Sequence, residues 1–445
     1  MEPEDSAPMI DRRDFLKATA AAGLALGSGS LAAAAGGTND LRVALVGAGN
    51  QGMALLECCQ KIPNIRITAL CDIWKEYRQK YVSGRLRIYG HEHRAYVDIG
   101  EMLDKEKGQL DAAIVATPDF WHAEHAVACL KAGLHVYCEK EMSNNLEDAR
   151  RIVRAARQSG KLLQVGHQRR SSPRYLFSYK LLHEASLLGR ITTVNGQWNR
   201  SRQDLLTMPA KYAIPPQTLE KYGYRSMEQF LNWRWYRGLG GGPIVDLGSH
   251  QIDVFNWFLD ARPARVMASG GTDYYNTATH EWYDTVMAVY EYPTRGGMVR
   301  AFYQTGTTNG FGGYYELFMG DQGSLEISES GARAKVYREV ANAPDWGSLV
   351  KRGLLRAARD EATPQPAAVL DVRETAPPPS YALPVQSLKL YHQPHLENFF
   401  DAIRGRTRLT CPGEIGYETA VTVLKVNDAV EAGRPLAFEA PDFEI

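Results

Sequence analysis

The chain has 445 residues, of which 44% are hydrophobic and 23% charged, and its 51 lysines and arginines balance 51 aspartates and glutamates. This composition is typical of a soluble globular protein that is long enough for two domains. A net charge of zero gives no electrostatic reason to expect nucleic acid as a partner.

The first 37 residues have the pattern of an export signal. The pair Arg12-Arg13 precedes an alanine- and leucine-rich run from Ala18 to Leu26, and small residues follow at 31–35. The apolar run is too short to span a bilayer stably, so we expect no membrane insertion. The pattern resembles a twin-arginine signal with cleavage near residues 33–35, which predicts export of the folded protein to the periplasm.

The stretch from Leu41 to Asp72 predicts a dinucleotide-binding fold. An apolar strand at 41–46 is followed by a G-x-G-x-x-G run, a helix and a second strand that ends at Asp72. In this context the glycines allow a tight turn, close approach of a pyrophosphate and close packing of helix on strand. The alternative is an ordinary glycine-rich turn of an α/β protein. The predicted cofactor-binding residues are Gly47, Gly49, Asn50, Gln51, Gly52 and Asp72.

The residues around Asp72 favour NAD over NADP. A carboxylate about 20 residues after the last glycine hydrogen-bonds the ribose 2′-hydroxyl and repels a 2′-phosphate. Ile73 and Trp74 supply no adjacent arginine, although Lys75 limits this preference.

Further strands at 111–117 and 134–138 alternate with helices, which predicts a parallel sheet. Ligands of such sheets bind at the carboxyl ends of the strands, where Thr117-Pro118 and Glu139-Lys140 lie. The six cysteines and the histidine pairs lack the spacing of metal ligands, so we expect buried thiols and no metal site.

These motifs, together with His122, resemble the Gfo/Idh/MocA family. The resemblance implies an N-terminal Rossmann domain at 38–165 and a C-terminal α/β domain at 166–445, built on an open, mostly antiparallel sheet. It implies an NAD(P)-dependent oxidoreductase acting on sugars, inositols or their relatives. It also places Thr117, Pro118, His122, Glu139 and Lys140 at the cofactor.

The sequence departs from the family at Glu141, where the family normally has proline after Glu-Lys. A cis peptide before a residue other than proline costs about 3 kcal/mol, so the departure questions the usual cis geometry. A second carboxylate beside Lys140 would also tend to keep its ammonium group charged.

Two arginines, Arg169 and Arg170, follow the last predicted strand of the first domain. Arginines at a strand exit are candidates for binding substrate hydroxyls or a carboxylate. The alternative is a salt bridge between the domains.

A predicted helix at 244–259 is almost wholly apolar, yet Asp246, His250 and Asp253 recur on one face. Ionisable groups on a buried helix must be paired, and such groups concentrate at active sites. The alternative is a hydrogen-bonded core histidine with a capping aspartate. With Trp233 and the glycines at 240–242, this helix matches the family's Trp, Gly-Gly-Gly and Asp-x-x-x-His pattern.

The resemblance gives these residues roles. His250 would be the base, Asp246 would orient the imidazole or bind a neighbouring hydroxyl, and Lys140 would stabilise developing alkoxide charge. Trp233, Arg169, Arg170 and Asp253 are the predicted substrate-binding residues.

Three segments of the second half remain open to more than one interpretation. Residues 198–237, rich in tryptophan, tyrosine and arginine, form either a lid over a sugar or a surface insertion that makes subunit contacts. Residues 280–284 reach the substrate or, more simply, pack as a loop. Residues 342–384 predict a long proline-rich loop.

The main functional hypothesis is hydride transfer between a sugar or polyol carbinol and tightly bound NAD, in a homo-oligomer. Free NAD is scarce outside the cytoplasm, so an exported nicotinamide enzyme needs either a tightly held cofactor that is regenerated in place or an outside electron acceptor. Two alternatives are an NAD-dependent glycosidase that oxidises its sugar transiently, resembling α-N-acetylgalactosaminidase, and a non-catalytic sugar-binding protein.

Overall fold

The structure is a computed structural model that describes residues 40–357, 378–386 and 388–445. The predicted export signal at 1–37 and the central part of the predicted loop at 342–384 lie outside the described residues.

Six parallel strands form the first sheet. They are β1 (Leu41–Val46), β2 (Ile65–Cys71), β3 (Arg94–Tyr96), β4 (Ala112–Val115), β5 (His135–Cys138) and β6 (Leu163–Val165). Their spatial order is β3-β2-β1-β4-β5-β6, and every pairing is parallel. The order reverses between β1 and β4, and a crevice for ligands opens at such a reversal, beyond the carboxyl ends of the strands.

Five helices follow these strands and cover the sheet. They are α1 (Asn50–Cys59), α2 (Lys80–Ile88), α3 (Ile99–Lys105), α4 (Asp119–Lys131) and α5 (Leu146–Ser159). A π-helical turn at Lys75–Gln79 precedes α2. Asn145 precedes helix α5, and its side chain accepts from the main-chain N–H of Asp148, while Gly160 follows the helix in the left-handed conformation.

The second sheet has ten strands. They are β7 (Ile191–Asn199), β8 (Arg265–Gly271), β9 (Thr285–Thr294), β10 (Gly297–Gly306), β11 (Tyr314–Gly320), β12 (Gly323–Ile327), β13 (Ala334–Arg338), β14 (Arg356–Ala357), β15 (Ser380–Ala382) and β16 (Leu436–Ala437). The order is β14-β15-β13-β12-β11-β7-β10-β9-β8-β16. Strands β7 and β10 pair in parallel and the other neighbours are antiparallel. The predicted open, mostly antiparallel sheet is therefore confirmed.

Among the described residues, seven further helices belong to the second half of the chain. They are α6 (Pro173–His183), α7 (Pro216–Lys221), α8 (Met227–Leu231), α9 (Gly242–Leu259), α10 (Gly347–Lys351), α11 (Gln393–Ile403) and α12 (Gly413–Ala432). The prediction of a continuous loop at 342–384 is wrong where it is described, because α10, β14 and β15 lie within it. Helix α11 packs back on α1 of the first half, through apolar residues that join the core of the first sheet.

Helix α9 carries the predicted Asp-x-x-x-His motif and packs on the second sheet beside α12. Its first residue, Gly242, has a φ of +75°, and a Cβ there would meet the Trp282 side chain at 2.8 Å. Glycine is therefore required where the chain turns into the helix. Most of the helix is buried, as its apolar sequence predicts.

The two arginines after β6 do not enter a ligand site. Arg170 binds Asp253 of α9 with N–O distances of 2.9 and 3.0 Å, and both side chains are buried. Arg169 pairs with Glu316, and with Glu329 at 3.2 Å. The assignment of Arg169, Arg170 and Asp253 to substrate is corrected, because buried salt bridges within the second domain occupy all three.

All six cysteines are free and buried. Among the described residues there is no group of three or more potential metal ligands. No helix in the same residues combines the length and apolarity needed to cross a membrane.

The Arg170–Asp253 pair makes a stability prediction. Arg170→Met leaves the Asp253 carboxylate buried without its cation, which typically costs about 3–5 kcal/mol. We expect the free energy of unfolding in urea to fall by this amount. The control is Arg262→Met, which breaks the exposed pair with Glu418 and is expected to cost at most about 1 kcal/mol. Equal losses in the two variants would contradict a structural role for Arg170.

Candidate active site

A cavity of about 990 Å³ lies between the carboxyl ends of the first sheet and helix α9. This volume is at the upper end of the range of about 300–1,000 Å³ for small-molecule sites. Its wall begins at the glycine-rich turn, passes the ends of β2, β4 and β5, and reaches His250.

The glycine-rich turn has the geometry of a phosphate cradle. Gly47 has a φ of +94°, and a Cβ there would lie 2.5 Å from the carbonyl oxygen of Ala116. A Cβ on Gly52 would lie 2.0 Å from the carbonyl oxygen of Gly47. Gly49 precedes α1 with no side-chain cap, so the first N–H groups of the helix are available to an anion. These residues fit a dinucleotide.

Asp72 braces this turn from the end of β2. Its carboxylate accepts from the main-chain N–H groups of Ala48 and Trp74, both at 2.7 Å. The residue also lines the cavity. The side chain is thus fixed beside the turn, where a ribose-binding carboxylate belongs.

Arg78 is a cation in the cofactor half that the sequence argument did not include. The π-helical turn brings its guanidinium back to 3.6 Å from the position of a Cβ on Gly49. Trp74 and Phe230 flank the guanidinium, with ring centroids at 5.1 and 5.0 Å. Among the described residues no carboxylate forms an ion pair with it. The residues next to Asp72 in the sequence give no sign of this contact.

His122 supports the cavity wall and does not line the cavity. Its ring nitrogens lie 2.7 Å from the carbonyl oxygen of Thr117 and 2.8 Å from that of Glu141, and the ring is buried. Thr117 and Pro118 line the cavity themselves. The predicted contact of His122 with the cofactor is therefore corrected to a role in holding these two loops.

Glu139 and Glu141 differ in their surroundings. Glu139 lines the cavity and accepts from the amide of Gln51 at 3.0 Å, which ties the end of β5 to α1. Glu141 is fully buried, and burial raises the pKa of its carboxyl to about 8. The Lys140–Glu141 peptide is cis. The family geometry is thus present without the proline.

Lys140 is paired with Asp246 and not with Glu141. Its Nζ donates to the Asp246 carbonyl oxygen at 2.5 Å and to Oδ1 at 3.2 Å. Arg234 Nε donates to the same Oδ1 at 3.1 Å. Burial alone would raise the pKa of Asp246, but Lys140, Arg234 and the more distant Arg200 hold it well below its usual range. Asp246 therefore stays ionised and positions both cations.

His250 faces the same cavity one helical turn after Asp246. No hydrogen bond joins it to Asp246, so the predicted orienting role of Asp246 is corrected. Its Nδ1 is buried without a partner, which leaves Nε2 as the nitrogen that faces the cavity. Burial, and then the positive charge of Lys140 and Arg169, lowers the pKa of His250 well below the ordinary value. The imidazole is therefore neutral and able to accept a proton.

Aromatic rings surround His250. The Trp198 ring lies 5.5 Å from it, and Tyr314 stacks on Trp198 at 4.7 Å. Trp233 lines the cavity and supports the Arg234 guanidinium, 4.3 Å from the ring centroid. Asp119 also lines the cavity, and burial raises the pKa of its carboxyl to about 7. Trp198, Tyr314, Arg234 and Asp119 were not among the predicted site residues.

Residues 205–239, here called the cover segment, close the cofactor half of the cavity. Trp74 Nε1 donates to the Tyr212 carbonyl at 2.6 Å, and Trp121 Nε1 donates to the Tyr222 carbonyl at 3.1 Å. An apolar cluster of tryptophan, tyrosine and phenylalanine side chains joins the cover segment to these two tryptophans. The cover segment therefore packs near the glycine-rich turn, and its residues Trp233 and Arg234 line the side of the cavity near His250. His280 packs on Tyr275 outside the cavity wall, which fits the loop interpretation of 280–284.

Comparison with known proteins extends this description. Residues 41–167 match the model for an oxidoreductase family with an NAD-binding Rossmann fold, residues 180–326 match the GFO/IDH/MocA C-terminal domain, and residues 9–29 match a twin-arginine translocation signal sequence.

Three similar proteins are informative. The rhizopine catabolism protein MocA of Rhizobium meliloti is 26% identical over 226 residues, which cover 50% of this chain and 58% of MocA. The 1,5-anhydro-D-fructose reductase of Ensifer adhaerens is 27% identical over 331 residues, 74% of this chain and 80% of the reductase. The aldose-aldose oxidoreductase of Caulobacter crescentus has the same fold, with a TM-score of 0.66, 18% identity and coverage of 90% and 100%. The match thus spans little more than half of MocA. Since the two family models together match more than half of the sequence, the chain belongs to the Gfo/Idh/MocA oxidoreductase family.

Proposed function

We propose that this protein is an exported NAD-dependent oxidoreductase that transfers a hydride between a sugar or polyol carbinol and a tightly held nicotinamide cofactor. The observation that carries the proposal is that Lys140 and His250 line one cavity with the glycine-rich turn. The twin-arginine signal supports export, and we take the periplasm as the destination.

The chain's own residues supply the proton chemistry. A bound nicotinamide would accept the hydride from the carbinol carbon. His250 takes the hydroxyl proton at Nε2, because its ring is neutral. Lys140 Nζ donates to the substrate oxygen and stabilises alkoxide charge, while Asp246 fixes the ammonium in place. The cations near His250 disfavour its protonated form, so the proton passes on to water.

The cover segment supports tight retention of the cofactor. A dinucleotide seated on the glycine-rich turn would lie against the cover segment, which the hydrogen bonds from Trp74 and Trp121 hold in place. Asp72 favours NAD, as the sequence analysis predicts. Arg78 supplies a cation at the pyrophosphate or at a 2′-phosphate, so identifying the cofactor also tests this preference.

Oxidoreduction is the single function proposed. No contact among the described residues favours glycoside cleavage over net oxidation. A purely sugar-binding role would leave the neutral His250 and the fixed Lys140 ammonium without a task.

The first prediction concerns the base. General-base catalysis contributes about 10²- to 10⁴-fold, so His250→Asn should lower kcat/KM for sugar oxidation by that factor. Absorbance of the reduced nicotinamide over a single turnover with a panel of sugars is the measurement, and its second-order rate constant stands for kcat/KM. His183→Asn, a histidine of α6 that packs on Tyr179 away from the cavity wall, is the matched control and should leave this constant unchanged. Undiminished oxidation by the His250 variant would refute the assignment, and glycoside cleavage without net reduction of the cofactor would replace the proposed reaction.

His250 also sets the expected pH dependence of sugar oxidation. A base is active when deprotonated, and the pKa of His250 is lowered, so activity persists as the pH falls below 6.5. The acid limb of the kcat/KM profile should therefore lie below pH 6.5. Asp119, whose pKa is raised to about 7, is the other group that could cause an acid limb. An acid limb caused by Asp119 would disappear in the Asp119→Asn variant. A limb at or above pH 6.5 that persists in Asp119→Asn contradicts the role of His250.

The second prediction concerns the cofactor. The purified protein should retain a dinucleotide through gel filtration, and mass spectrometry after denaturation should identify NAD. Trp121→Phe removes one hydrogen bond from the cover segment and should speed cofactor release about 2- to 10-fold. Trp257→Phe, a tryptophan of α9 outside the cavity wall, is the control. Rapid exchange of the dinucleotide in the wild-type protein would exclude a resident cofactor. Release of NADP in place of NAD would change only the identity of the cofactor.

The third prediction concerns assembly. Helices α9 and α12 cover one face of the second sheet, and the other face exposes Met267, Met287 and Met298 on adjacent strands, with Arg300 and the Arg265–Glu291 pair between them. We propose that a second copy of the chain covers this mixed face in a dimer or tetramer. Light scattering should give a multiple of the chain mass, and Met287→Glu should shift it toward the monomer. Ile88→Glu, an exposed apolar residue of α2, is the control. A monomeric wild type would overturn the proposal.

A further inference from the structure

Arg200 follows the carboxyl end of β7 and lines the cavity. Its main-chain N–H donates to the Gly306 carbonyl oxygen at 2.8 Å, which pins the backbone at this point. Its guanidinium lies 5.2 Å from the centroid of the Trp198 ring. Trp198 thus supports the guanidinium of Arg200 at the edge of the cavity.

The cations near His250 are otherwise paired. Lys140 and Arg234 share the Asp246 carboxylate, and Arg169 is held by Glu316 and Glu329. Arg200 forms no ion pair with any carboxylate of the described residues. Its positive charge lowers the pKa of Asp246 from beyond hydrogen-bond distance. Two nearer cations, Lys140 and Arg234, already bind that carboxylate. Arg200 is therefore the cation of this half of the cavity whose counterion the protein does not provide.

The position of Arg200 relates it to the proposed reaction. The Trp198 ring lies 5.5 Å from the His250 ring and 5.2 Å from the Arg200 guanidinium. A single sugar ring packed against Trp198 and Tyr314 can therefore present a carbinol to His250 and another substituent to Arg200. The planar fork of a guanidinium matches the oxygens of a carboxylate or a phosphate.

We propose that the substrate is an anionic sugar, whose carboxylate or phosphate group binds Arg200 while its carbinol faces His250. The proposal rests on the proposed function, since it names the substrate class of the same site. Arg200 acts as a specificity-determining residue and takes no part in proton transfer.

The experiment compares matched hexoses on the wild-type protein with its own bound cofactor. Each set contains a neutral hexose, the uronate of that hexose and its 6-phosphate, for example glucose, glucuronate and glucose 6-phosphate. Reduction of the bound cofactor is followed by stopped-flow absorbance over a single turnover, and the limiting rate and half-saturating sugar concentration stand for kcat and KM. Sugar binding is followed separately by tryptophan fluorescence. We expect one anionic member to exceed its neutral parent about 10-fold or more in kcat/KM, which is the scale of a charge-assisted hydrogen bond. Which member does so distinguishes a carboxylate from a phosphate.

Variants assign the preference to Arg200. Arg200→Gln should abolish it by raising KM for the anionic sugar, with kcat and the neutral sugar little changed, and Arg200→Lys should restore part of it. Arg202→Gln is the matched control, because Arg202 is exposed and already paired with Asp204. Retained cofactor and an unchanged melting temperature show that the variants are folded.

The outcomes separate this inference from the proposed function. A neutral hexose that equals its anionic counterparts, or a preference unchanged in Arg200→Gln, would overturn the inference while oxidation itself stands. Arg200-dependent binding of anionic sugars without cofactor reduction would support the inference and refute the proposed function. Absence of both binding and reduction in every set would reject the inference.

Discussion

The structure depends on one contact between its two halves, in which Lys140 at the end of β5 meets Asp246 on helix α9. The ammonium donates both to the main-chain carbonyl and to the carboxylate of Asp246, so the helix and the strand end are fixed relative to each other. Because His250 lies one turn further along α9, the same contact sets the imidazole opposite the carboxyl ends of the first sheet. The space between them is the cavity.

Other charged contacts serve this arrangement from outside the cavity. Arg170 binds Asp253 one turn beyond His250, and Arg169 ties the turn after β6 to the second sheet. Ion pairs at buried positions fix geometry more surely than they add stability, since their desolvation offsets much of their attraction. In the half of the cavity near His250, Arg200 is the cation of the described residues that no carboxylate pairs, while its neighbours are held in place.

Much of the fold and part of the site could be predicted from sequence. The glycine-rich turn, the parallel strand ends and the apolar helix with Asp246 and His250 are local patterns, and the second sheet followed from the family resemblance. Which charged residues pair with each other could not be predicted, because the partners lie far apart in the chain. Arg170 and Asp253, for example, are 83 positions apart. The stripe of Asp246, His250 and Asp253 is correct as helix geometry, but its last member turns toward Arg170 and away from the cavity. The position of Arg78 could not be predicted, because a π-helical turn, which has no clear sequence signal, brings its guanidinium back to Gly49.

The buried cysteines have a consequence for a protein that is exported already folded. The thiolate, and not the thiol, attacks disulfides and oxidants, and burial raises the pKa of thiols such as Cys58, to about 11. All six sulfur atoms are thus kept in the unreactive protonated state and shielded by surrounding side chains. A chain that folds in the reducing cytoplasm carries this protection with it, and needs neither disulfide catalysts nor repair of mispaired cysteines after crossing the membrane.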